Sequence, residues 1–71
     1  MRKRQSELSF REKSFQQAVA LHQSGRLLDA DSAYRQVLAE VPDHADALHL
    51  MGVIQCQQGQ YQAGADFIAR A

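Results

Sequence analysis

The chain has no tryptophan, asparagine or threonine, and it has one cysteine and one proline in 71 residues. Each shortage excludes something. A lone Cys56 cannot close an intramolecular disulfide, the usual support of chains this short. An unpaired thiol fits a reducing compartment. No apolar run approaches the roughly 20 residues that span a bilayer. Arg2-Lys3-Arg4 has the charge of a signal-peptide start, but the polar Gln5, Ser6 and Glu7 follow where an apolar stretch is required. The expected location is therefore cytoplasmic, without a membrane partner. The β-branched residues Val19, Val37, Val41, Val53, Ile54 and Ile68 nowhere alternate with polar ones over a strand's length.

Formal charge is zero, but its halves are unlike. Arg2, Lys3, Arg4, Arg11 and Lys13 outnumber Glu7 and Glu12 at the front. Beyond them, Asp29, Asp31, Glu40, Asp43, Asp46 and Asp66 outnumber Arg26, Arg35 and Arg70. A basic face with stacking aromatics, which nucleic-acid binding needs, is not present on the acidic body. Residues 1–8 are expected to form a basic, disordered N-terminus and residues 9–71 a helical domain.

What is abundant is Ala, Leu, Gln, Arg and Glu, all compatible with helix. Ser9-x-x-Glu12 has the form of a capping box, which predicts a first helix from near Ser9, carrying Phe15, Ala18, Val19, Leu21 and His22. Gly25 ends it. A second helix is predicted from about Leu27 to Val41, with Leu27, Ala30, Tyr34, Val37, Leu38 and Val41 as its apolar stripe and Pro42 as its stop. Asp43 is the expected N-cap of a third, roughly Ala45 to Gln58, with Asp46 favoured in its first turn. Gly59 closes that helix. A fourth starts near Gln60, with Tyr61, Gly64, Ala65 and Ile68 expected inside.

The two helix pairs repeat. Gly25 and Gly59 stand 34 residues apart. The same step pairs Ala18 with Gly52, Leu27 with Tyr61, Ala30 with Gly64, and Tyr34 with Ile68. Thirty-four is the tetratricopeptide period, with the pattern W-x2-L-G-x2-Y…A-x3-F…P. The second copy reads Leu48-x2-Met51-Gly52-x2-Gln55, then Gly64-x3-Ile68. The first reads Ser14-x2-Gln17-Ala18-x2-Leu21, then Ala30-x3-Tyr34, with Pro42 eight residues on. Small residues recur where paired helices must approach closely, and Leu21, Leu27, Tyr34, Met51, Tyr61 and Ile68 are expected to fill the space between.

On these residues the chain resembles the tetratricopeptide repeat family, over about residues 11–71. The expected fold is all-α, with antiparallel helix-turn-helix repeats in a solenoid-like stack. Repeat one covers about 11–44 and an incomplete repeat two 45–71. Ser14, Gln17 and Gln55 depart from the family's large apolar and aromatic residues. The stretch from His44 to Ile54 with Gln58-Gly59-Gln60-Tyr61 is similar to repeats at the front of larger bacterial proteins, among them repeat-bearing glycosyltransferases and sulfotransferases. That likeness carries over no catalytic residue.

The family resemblance implies a protein-protein interaction module, not an enzyme, that holds a peptide or partner helix in a groove lined by its first helices. By position the groove residues are Glu12, Phe15, Val19, His22, Gln23, Asp46, His49, Val53, Cys56 and Gln57. Phe15 and His49 are expected to serve binding and contribute little to folding. The Lys, Arg and Asn of the family's carboxylate clamps have no counterpart at these positions, and the asparagine-ladder positions of the O-linked transferases hold Gln16 and Leu50. An alternative is that the repeats recruit an acceptor protein for a transferase. Another is a structural element that associates with its own copies through an open C-terminal end.

No cofactor or metal is expected. His44 and His49 lie about 140° apart around a helix, and His22 sits on another. His49 and Cys56 share a face, but two ligands make no site, and about 10 Å of axial separation keeps the imidazole from activating the thiol. The histidines are expected to be solvated or to line the groove. No glycine-rich phosphate loop, nucleophile elbow or zinc spacing occurs.

Overall fold

A computed structural model describes the backbone of residues 2–71 and the side chains of residues 12–71. It contains helices α1 (Arg2–Gln23), α2 (Leu27–Glu40), α3 (Ala45–Gln57) and α4 (Tyr61–Arg70), and no strand among the described residues. Successive helices pack as antiparallel pairs, α1 on α2 and α3 on α4, and α2 joins the pairs by packing on α3.

The turns show why the period holds. Gly25 and Gly59 have φ of 82° and 81°, the left-handed conformation that glycine adopts without a Cβ penalty. Around Gly25, the Arg26 N–H donates to the Leu21 carbonyl at 3.0 Å and the Gly25 N–H to His22 at 3.1 Å. Around Gly59, Gln60 donates to Gln55 at 2.8 Å and Gly59 to Cys56 at 3.1 Å. These are two Schellman closures, each satisfying carbonyls that the helix end would otherwise orphan. Each reverses the chain at the same place in its repeat.

The turn between repeats is different. Pro42 disfavours helix at the residue before it, and Val41 leaves the helical region at φ −129°, ψ 82°. The His44 N–H donates to the Val41 carbonyl at 3.1 Å, which makes Pro42 and Asp43 the corner of a four-residue turn. Asp43 is thereby one residue too early to cap α3. His44 is the cap instead: its Nδ1 accepts the Ala47 N–H at 3.1 Å. The start of α1 also differs from expectation. The helical backbone already includes Ser9 and reaches Arg2, so Ser9 is not an N-cap. The side chains of the basic head lie outside the described residues.

The core gathers Ala18, Ala30, Tyr34, Val37, Ala47, Leu48, Met51 and Ile54, all buried. Ala18 and Ala30 are fully enclosed, as expected for a close helix crossing. In the second pair the crossing is tighter still. A Cβ on Gly52 would lie 2.8 Å from the Gly64 carbonyl oxygen and 2.5 Å from Ile68 Cγ1, and one on Gly64 would lie 2.8 Å from the Gly52 oxygen. No side chain fits there, so the backbones touch.

The inner face of α4 is a partial correction. Gly64 is buried and Phe67 packs against the core, but Tyr61 is 72% and Ile68 40% exposed, and Ala65 faces outward. The equivalent residues of α2 lie beneath α3, whereas no described helix follows α4.

Candidate partner-binding face

Helices α1 and α3 carry the expected groove residues. Two bridges hold these helices together. At one end the Phe15 ring stacks on the His44 ring, with centroids 4.8 Å apart and planes at 31°. At the other, His22 Nε2 lies 2.9 Å from Gln57 Oε1 and His22 Nδ1 lies 3.4 Å from the Tyr34 hydroxyl. One neutral tautomer satisfies both contacts, with Tyr34 O–H donating to Nδ1 and Nε2–H donating to Gln57. The histidine thus ties both helices of the first repeat to the second. Burial pushes the Tyr34 phenol up from its ordinary value of 10.0, so the hydroxyl keeps its proton for this role.

The structure sorts the expected residues. Glu12, Gln23, Asp46 and His49 are exposed on α1 and α3. Val19 and Val53 are half-buried, and Val19 also packs on the core. His22 and Gln57 are engaged with each other. Phe15 is half-buried: its ring lies 6.1 Å from Tyr34 as well as against His44, and it packs against the core. Cys56 turns its sulfur toward α4, where a Cβ on Gly64 would meet it at 2.5 Å. Its place is at the joint within repeat two. Leu50 packs against the core and Gln16 is exposed.

Two residues have roles that the sequence pattern does not announce. His44 caps a helix and stacks on Phe15, rather than lying solvated or in the groove. Gln55, where the family pattern has an aromatic, is buried, and its Nε2–H donates to the Asp31 carboxylate at 3.1 Å. Asp31 is also bound by Arg35, so the amide and carboxylate are both satisfied across the α2–α3 joint. The side chain one turn earlier on α2, Leu27, gives no polar cue to that pairing. Among the described residues, no cluster of three His, Cys, Asp or Glu could hold a metal. None of their helices is long and apolar enough to cross a membrane.

With this geometry in view, the comparison with known families is decisive. The tetratricopeptide repeat family matches residues 21–71. The chain belongs to the tetratricopeptide repeat family. No match was found among curated proteins or solved structures. The matched span takes in the end of α1 and all of α2, α3 and α4. It stops short of Ser14 and Gln17, the positions where the first repeat departs from the family pattern. A tetratricopeptide repeat is in general a protein-protein interaction module, and this chain's joints follow that architecture: glycine turns within repeats, a proline turn between them.

Proposed function

We propose that this chain binds a peptide or a partner helix across α1 and α3. The observation that supports it most is the pair of bridges, Phe15–His44 and His22–Gln57. They pin the two helices side by side, so a face bearing Glu12, Gln23, Asp46 and His49, with the apolar edges of Val19 and Val53, is set before any partner arrives. Pre-organisation lowers the ordering cost of binding. Mixed apolar and polar groups suit an amphipathic segment laid along the face. The chain supplies binding and no chemistry, in a reducing, cytoplasmic setting that the unpaired Cys56 tolerates.

The test is selection of peptides from a displayed random library, followed by mapping one selected synthetic peptide onto the amide spectrum of the protein. The expected result is perturbation at Gln23, Asp46, His49 and Val53, with binding weakened by His49→Ala and unchanged by Leu28→Ala on the exposed side of α2. Perturbations confined to α2 and α4 would overturn the assignment.

A further inference from the structure

The joint between repeats has two sides, and this chain presents each side a second time. In the internal joint, α2 offers Leu27, Asp31 and Tyr34; Gln55 of α3 bonds Asp31, and Met51 and Ile54 share the buried cluster with Tyr34, against which Leu27 packs. Tyr34 and Ile54 become fully buried there. One repeat later, α4 offers Tyr61, Ala65 and Ile68 at the places of Leu27, Asp31 and Tyr34, and they are exposed. One repeat earlier, Gln17, Ala20 and Leu21 of α1, with Ser24 just past its end, stand at the places of Met51, Ile54 and Gln55 of α3 and of Gln58 just past that helix's end. The first four, with Arg26, line an open cavity of about 380 Å³.

We propose that a second copy of the chain docks head to tail, its α1 lying on α4 as α3 lies on α2. The two open sides match each other, which favours a second copy as the occupant. The internal joint holds a polar pair, Gln55 to Asp31. At the equivalent places α1 has Leu21 and α4 has Ala65, so both halves of the pair have become apolar together. A change on one side alone would leave a buried amide or carboxylate without its partner. The sizes agree as well. Ala20 leaves open the space that Ile54 fills, and Tyr61 brings a ring where α2 has only Leu27. Because Asp31 pairs with Gln55 in an antiparallel crossing, the same register sets Tyr61 toward the Ser24 end of the cavity and Ile68 toward Gln17. Such a contact joins unlike surfaces, so it leaves one open side on each terminal copy and continues into longer chains or closes as a ring.

The experiment is sedimentation of the full chain over a concentration series into the millimolar range, with Ala20→Arg and Ala65→Arg. Both alanines are exposed, so both variants should keep the helical circular dichroism of the parent. The parent should show masses that grow beyond a dimer with concentration. Either variant alone should stay monomeric, since every head-to-tail contact needs both faces intact. An equimolar mixture of the two should form a dimer and nothing larger, because one intact α4 face then meets one intact α1 face. Should an arginine disturb its helix, Ala20→Glu and Ala65→Glu pose the same test. A parent that remains monomeric overturns the proposal. So does an Ala20→Arg variant that still self-associates, which is the mark of α4 meeting α4, or a mixture that fails to pair.

Discussion

An imidazole caps a helix only through an unprotonated nitrogen, and His44 spends Nδ1 on the Ala47 N–H while its ring face rests on Phe15. Two interactions therefore hang on one side chain. His44→Ala removes both and should lower unfolding free energy by about 1–2 kcal/mol, whereas His44→Asp keeps a cap and loses only the stack, at a smaller cost. Urea midpoints for the two variants check this; equal losses would mean that the cap contributes nothing. Tyr34 gives a second prediction at this scale. Its phenolate is disfavoured by burial, so its folded pKa stands above its unfolded one. Stability from this group is fully present below pH about 10 and is lost as pH rises through the raised folded value, because the unfolded chain releases the proton first. Urea midpoints followed into the alkaline range should fall as the Tyr34 phenol ionises, and Tyr34→Phe should flatten part of that fall in stability.

At the scale of the element, small residues decide how closely two helices lie. Ala30→Leu should cost about 1–3 kcal/mol by overpacking a fully enclosed crossing, while Ala39→Leu, on the exposed side of the same helix, should change stability by no more than about 0.5 kcal/mol. Gly52→Ala belongs with the first, since its new Cβ meets a backbone oxygen of α4 that cannot move aside as a side chain can. Denaturation midpoints that failed to separate Ala30→Leu from Ala39→Leu would contradict the crossing. This much was legible in the sequence, because the 34-residue step of Ala18, Ala30, Gly52 and Gly64 expresses a local geometric need. The glycine turns were legible for the same reason. The cap of α3 was not: Asp43 has the better chemistry, and only the turn geometry imposed by Pro42 gives the position to His44. Helical spacing places Phe15 on the first helices without showing that Tyr34 and His44 close on its ring. The side chains expected to line the partner face were legible as positions on α1 and α3, whereas the bonds among His22, Tyr34 and Gln57 depend on how two repeats are set against each other.

Over the whole molecule, protection from solvent should follow how many neighbours each helix has. α3 lies between α2 and α4 and carries Ala47, Leu48, Met51, Gly52, Ile54 and Gln55 in buried positions, whereas α4 buries only Gly64. Opening α3 must break both joints, while the last turn of α4 can open with little loss beyond the contacts of Ile68 and Phe67. Amide exchange should therefore be slowest through Met51 and Ile54 and fast near Arg70, in the graded manner of proteins that open by parts. Concentration adds a second axis to the same measurement. If copies stack with α1 on α4, exchange should slow with rising concentration at Ala20, Leu21 and from Tyr61 to Ile68, and stay unchanged at Asp46 and His49, which face the proposed partner. Slowing at Asp46 and His49 instead would place the self-contact on the partner-binding face. Exchange in α4 as slow as in α3 in dilute solution would show that covering one side is enough to hold a helix of this stack, and that Tyr61 and Ile68 need no second copy.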